Sequence, residues 1–227
     1  MKLEDFAELV PSALRQRSGA VFYSGRAAFE SQSDLYILGL NPGGNPSRQA
    51  AETVQANIDA SLQRAASDWS AYVDDSWNGK RPGSWKMQPR IRHLLARLQR
   101  DPRRTPASNV VFTRSAREAD LLHEKQALLE ACWPLHRTVI QALNVKVVIC
   151  LGRTAGRWVR DATGAQKVQE NFREDNARGW ISQAHSNESG LQVVTLTHPS
   201  IAAWKVEATD PTSLVRSALS RAGISGP

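Results

Sequence analysis

Three side chains combine useful chemistry with a suggestive position. Asn41 lies in Leu40-Asn41-Pro42-Gly43-Gly44, at the end of the apolar run Leu35-Tyr36-Ile37-Leu38-Gly39-Leu40. His198 lies in Thr197-His198-Pro199-Ser200, directly after the run from Leu191 to Leu196. Asn109 opens a third run, Asn109-Val110-Val111-Phe112. A carboxamide offers both a donor and an acceptor, and a neutral imidazole donates from one ring nitrogen while accepting at the other. Such groups position small polar partners and stabilise developing charge. A carboxamide is not a strong base.

Other chemistries are poorly represented. Cys132 and Cys150 are the only cysteines, both in apolar surroundings. They read as buried free thiols, and two thiols are too few for the usual iron–sulfur ligand set. The five histidines are scattered without metal-ligand spacing. No metal and no cofactor is expected. Neither a Gly-x-Gly-x-x-Gly fingerprint nor a Gly-x-x-x-x-Gly-Lys-Ser/Thr loop is present.

The three residues need elements to carry them. Leu35–Leu40, Asn109–Phe112, Val145–Leu151 and Leu191–Leu196 read as strands, the third almost wholly apolar as a strand covered on both faces should be. Helices are expected over Leu3–Arg17 with an interruption near Pro11, from a Ser47 cap to about Ala66, around Ile91, Leu94, Leu95 and Leu98, over Glu124–Leu143 with a kink at Pro134, around Thr154–Asp161, and from Pro211 onward. Trp69–Ser84 reads as irregular. Thr163–Gly190 is polar and reads as a loop-rich insertion with one short strand. Strands alternating with helices imply a three-layer α/β/α sandwich around a central four-stranded parallel sheet, in one domain over residues 1–227. In such sheets ligands bind beyond the carboxyl ends of the strands, so Asn41, His198 and Asn109 are expected in one crevice.

Charge adds a partner. The chain carries a net +7. Lys80, Arg81, Lys86, Arg90, Arg92, Arg97, Arg100, Arg103 and Arg104 face only Asp101 within their segment, which alone holds +8 and leaves the remainder nearly neutral. A local excess of this kind suits a face turned to phosphates; a solvated helix face is the alternative. No apolar run approaches a membrane span and the first residues do not resemble a signal peptide, so a cytoplasmic, nucleoid-associated monomer acting on DNA is expected.

Together these residues resemble the uracil-DNA glycosylase superfamily. Gly39-Leu40-Asn41-Pro42-Gly43 and His198-Pro199-Ser200 resemble its two signature motifs, the first in the Gly-x-Asn-Pro-Gly form of the mismatch-specific and single-strand-selective monofunctional branches. Asn109 with Val-Val-Phe resembles the strand that carries a base-reading Asn, and Leu151-Gly152-Arg153-Thr154-Ala155 a structural turn between the motifs. The likeness spans roughly Leu35 to Trp204. It implies a monofunctional enzyme that flips a pyrimidine nucleotide out of DNA and hydrolyses its N-glycosidic bond.

The resemblance assigns roles. His198 donates to a carbonyl oxygen of the departing base anion, a kind of contact worth about 3–4 kcal/mol; its alternative is to cap the following turn. Asn41 holds the attacking water, against an Asn selected only for the turn before Pro42. Asn109 pairs with the edge of the flipped base, against one that satisfies a strand start. Gly39 and Gly43 border the base. Ser200 contacts a phosphate, and Ile201 is a wedge for the vacated stack or else a buried residue. Trp85 is the expected aromatic platform, with Trp77 and Trp204 as competitors. Lys86, Arg90, Arg97 and Arg100 contact the DNA backbone. The family's classical uracil enzymes carry a Tyr where Gly43 stands. The smaller residue implies room for 5-substituted pyrimidines, including modified cytosines such as those of phage DNA, in repair or in defence. Two rivals stand beside this reading: a catalytically silent DNA- or modified-base-binding module on the same fold, and an unrelated α/β enzyme of a small phosphorylated substrate.

Overall fold

The computed structural model describes residues 1–121 and 123–224. In chain order the elements are α1 (Leu3–Glu8), α2 (Arg26–Phe29), β1 (Leu35–Gly39), α3 (Val54–Gln63), α4 (Gln88–Arg97), β2 (Ala107–Asn109), α5 (Lys125–Ala142), β3 (Val147–Leu151), α6 (Arg153–Thr163), β4 (Lys167–Arg173), β5 (Ile181–Ser186), β6 (Gln192–Leu196) and α7 (Thr212–Arg221). The strands form one six-stranded sheet in the order β2-β1-β3-β6-β5-β4. β2, β1, β3 and β6 run parallel, while β5 is antiparallel to β6 and β4 to β5.

The sandwich follows from strand alternation, since successive side chains leave a strand on opposite faces. Tyr36, Leu38, Val148, Cys150 and Val193 join the core built with α1, α3, α5 and α6. Leu35, Ile37, Val147, Ile149, Leu151, Val194 and Leu196 join the opposite core with α4 and α7. β1 and β3 are buried along their whole length, so both faces must be apolar, which explains their unbroken hydrophobic character.

The expected four parallel strands are therefore one side of a wider sheet, which β5 and β4 extend beyond β6. Lys167–Arg173 and Ile181–Ser186 form a hairpin within the segment expected to be mostly loop. Their polar residues face solvent along β4, whose side chains are largely exposed. The second strand is Ala107–Asn109 rather than Asn109–Phe112, though the amides of Val110 and Val111 still bond to the carbonyls of Gly39 and Leu40. α3 starts at Val54, not near Ser47, because the Thr53 hydroxyl accepts from the Ala56 amide at 3.0 Å and makes the cap. Helical structure near the amino terminus stops at Glu8, apart from a short 3-10 turn at Ser12–Leu14. Pro134 lies inside α5, which is assigned as one helix of 18 residues.

α6 crosses β6 at close range. A Cβ on Gly156 would lie 2.0 Å from the Thr195 Oγ1, so only glycine admits this approach. Gly156→Ala is expected to lower unfolding free energy by about 1–3 kcal/mol, the usual cost of overpacking, despite alanine's better helix propensity. Denaturant unfolding checks this; a variant as stable as the parent would contradict the packing described.

Candidate active site

The site begins at the carboxyl ends of β1 and β6. Both strands pair with β3, one on each side, so the chains leaving them are two strand spacings apart, about 9–10 Å. The ladder also sets their height. Leu38 pairs with Cys150 and Leu196 with Leu151. Continued past the strand ends, residues 41 and 198 both come level with residue 153. Gly152 turns the chain between them at φ +100°, and its Cα faces the His198 ring so closely that a Cβ would lie 3.4 Å from the imidazole Cδ2. Asn41 and His198 therefore rise on opposite sides of one gap whose floor is the turn after β3.

Asn41 is held in a defined orientation. Its Nδ2 donates to the Ser115 Oγ at 2.9 Å and to the Pro42 carbonyl at 2.9 Å. The Ser115 hydroxyl donates onward to the Arg117 carbonyl at 2.9 Å. A hydroxyl has one proton, so Ser115 must accept from Asn41, and both Asn41 neighbours are acceptors. This assigns the NH2 to the protein side. Among the described residues nothing donates to the Oδ1, which is a free acceptor. The loop is held by the same segment: the Ser115 amide donates to the Pro42 carbonyl and the Arg114 guanidinium to the Gly43 carbonyl at 2.6 Å. Ser115 and Arg114 were not singled out from the sequence, since their link to Asn41 spans more than seventy residues of chain.

His198 is oriented in the complementary sense. The Ser200 amide donates to its Nδ1 at 3.1 Å, and the Ser200 Oγ lies 2.7 Å from the same nitrogen. A ring nitrogen that accepts an amide proton carries none, so the neutral ring holds its proton on Nε2. Burial lowers the His198 pKa from the ordinary 6.5. The result is an uncharged imidazole with its Nε2–H available as a donor. Ser200, expected at a phosphate, is committed through its amide to His198. Behind the loop, Trp204 is fully buried and donates to the Thr197 carbonyl at 3.2 Å; it is a core residue rather than a base platform.

Asn109 ends β2 with its side chain laid across β1. A Cβ on Gly39 would lie 2.1 Å from the Asn109 Oδ1, so Gly39 is what lets the amide reach this position. Tyr23 lies beside Asn109; burial raises its pKa to about 12, opposed first by the Arg114 charge. Tyr23 packs on Tyr72 with ring centroids 6.1 Å apart, and Tyr72 on Trp77 at 5.8 Å. An aromatic strip thus runs from Asn109 to Trp77. Trp85 stands just before α4, with the ammonium groups of Lys80 and Lys86 at 5.8 and 5.5 Å from its ring centroid. A Cβ on Gly43 would meet nothing within 4 Å. Ile201 is 54% exposed, which removes the alternative of an ordinary buried residue.

The basic segment is divided by α4. This helix starts beside the site, where Arg90 donates to the Pro199 carbonyl, and runs about 15 Å toward the amino ends of the strands. There Arg100 pairs with Asp34, the residue preceding β1. Arg103 and Arg104 pair with Asp74 and Asp68. Lys80, Lys86 and Arg90 therefore belong to the site end, whereas Arg97 and Arg100 lie toward the amino ends of the strands and are not brought to the crevice. Among the described residues no three His, Cys, Asp or Glu side chains gather as a metal site would require, and no helix is long and apolar enough to cross a membrane.

The family model of the uracil DNA glycosylase superfamily matches residues 27–216, which include β1 through the first half of α7 and, with them, Asn41, Asn109, Ser115 and His198. The chain belongs to the uracil DNA glycosylase superfamily. No curated protein matches it at a significant level. Proteins of the superfamily are generally DNA glycosylases, hydrolases that act on DNA. In this uracil DNA glycosylase superfamily member the Asn41–His198 gap is the crevice that topology alone would select, since it lies beyond the carboxyl ends of the central parallel strands.

The tautomer has a pH consequence. Protonating Nδ1 would set its new hydrogen against the Ser200 amide hydrogen, so the neutral ring is the competent form. Because burial lowers the pKa, the rate of base release should hold its plateau as pH falls through 6.5 and decline only below it. A rate–pH profile under single-turnover conditions tests this; loss of activity with an apparent pKa at or above 6.5 would contradict it.

Proposed function

We propose that this chain is a monofunctional DNA glycosylase that hydrolyses the N-glycosidic bond of a flipped pyrimidine and leaves an abasic site. The observation that carries this reading is the opposed polarity of the two strand-end side chains: an unpartnered acceptor on Asn41 and an available donor on neutral His198, level with one another across β3. Glycosidic cleavage develops positive charge on the sugar and negative charge on the departing base. The His198 Nε2–H supplies a fixed donor for a carbonyl oxygen of that base. The Asn41 Oδ1 accepts from the water that attacks the anomeric carbon, contributing by position and not by basicity. The Gly-x-Asn-Pro-Gly form of the first motif supports a reading in which the chain works as the Asn-using branch of the superfamily does.

Base recognition falls to Asn109, presented over Gly39, with the Tyr23–Tyr72–Trp77 strip as the aromatic wall. Ile201 is the side chain for the vacated stack, and Lys80, Lys86 and Arg90 lie nearest the backbone path. The open space at Gly43 favours bases carrying a 5-substituent in addition to uracil, modified cytosines among them.

The test is an excision screen over oligonucleotides containing uracil, thymine mismatches and 5-modified cytosines, with released bases identified by mass spectrometry. Wild-type protein should release at least one pyrimidine. Asn41→Ala and His198→Ala should each slow release by about a hundredfold or more while DNA affinity stays close to wild type. Gly43→Tyr should retain uracil release and lose that of 5-substituted bases. Binding without release of any base would favour a silent recognition module, and wild-type rates in both alanine variants would overturn the site.

A further inference from the structure

The β4–β5 hairpin extends the sheet beside the strand that carries His198. β5 is antiparallel to β6 with Gln183 opposite Thr195, so the hairpin tip at 174–180 projects past the carboxyl end of β6, on the side of the crevice. The Ser182 Oγ accepts from the Thr197 amide at 2.9 Å, which fixes this placement one residue before His198.

The tip is built around a buried carboxylate. Glu174 is 3% exposed, and its Oε2 accepts from Asn176 at 2.9 Å and from Arg178 at 3.0 Å. Held there, the Arg178 guanidinium makes two further contacts. It donates to the Ile201 carbonyl at 2.8 Å and lies over the Trp180 ring, 4.3 Å from its centroid. One cation thus joins the tip to the loop that carries the exposed Ile201. Trp180 remains 37% exposed and Ile181 46%. Large apolar side chains are otherwise a poor choice for a polar hairpin tip, and this ring is already stiffened on one side by the guanidinium.

We infer that the hairpin tip is a second contact with duplex DNA, in which Trp180 offers its ring to a base bordering the gap that Ile201 enters. The occupant follows from the chemistry: an aromatic face stacks on any base, a guanidinium beside it suits the phosphate-rich surroundings, and the surface continues from the loop of the proposed site. Arg178 ties the two parts so that platform and wedge meet the duplex as one unit. The inference rests on the glycosylase reading and adds to it a contact made by the inserted hairpin.

The experiment measures the affinity of full-length protein for a duplex containing a central tetrahydrofuran abasic analogue, with base release by the wild type established beforehand. Trp180→Ala should weaken binding about tenfold, and Trp180→Phe should keep most of the affinity because a ring is retained. Wild-type affinity in Trp180→Ala would overturn the inference and leave the glycosylase reading standing, as would equal losses in both variants. A wild-type protein that neither releases a base nor binds the duplex would bring down the reading itself, and this inference with it.

Discussion

The pairing of β3 with both β1 and β6 is the constraint on which the site depends. A parallel ladder brings strand ends to a common height, and a single intervening strand sets the gap between the flanking chains at about 9–10 Å. Neither Asn41 nor His198 has to be placed by a long flexible loop. Each follows within two residues of a strand whose other residues are almost entirely buried. The rigidity of the core is thereby passed to two polar side chains that are only partly buried.

Orientation comes from a second layer of hydrogen bonds. Ser115 must accept from Asn41 because its own proton is used on the Arg117 carbonyl, and His198 must be unprotonated at Nδ1 because it accepts from Ser200. These two local facts leave a free acceptor on one side chain and a free donor on the other. Neither requires a charged group, and burial of His198 disfavours one. In the proposed reaction the departing base anion meets a fixed neutral donor.

Much of this was legible in the sequence, and the failures have particular causes. β1, β3 and β6 showed themselves because strands covered on both faces must be apolar throughout. The hairpin escaped because Lys167–Arg173 forms the largely exposed edge strand, where solvent permits polar side chains, and Ile181–Ser186 buries Ser182, His185 and Ser186 in place of an apolar run. Asn41 and His198 could be found because their motifs are local. Ser115, Tyr23 and Tyr72 could not, since their relation to Asn41 and Asn109 exists only after folding. The dense run of cations from Lys80 to Arg104 is divided only by folding. Charge counts carry no direction, and α4 conducts half of that run away from the crevice, where acids of other segments neutralise part of it. Trp204, one of the candidate platforms, instead holds the Thr197 carbonyl from within the core.

The central claim is that one extruded nucleoside is gripped between the Asn41 amide and the His198 imidazole. A crystal structure of the protein bound to DNA carrying a hydrolysis-resistant 2′-fluoro analogue of the excised nucleoside tests it most directly. The account predicts a base carbonyl oxygen about 3 Å from the His198 Nε2 and a water within about 3 Å of the Asn41 Oδ1, on the far side of the anomeric carbon. A nucleotide still stacked in the helix, or one seated away from these two side chains, would contradict it.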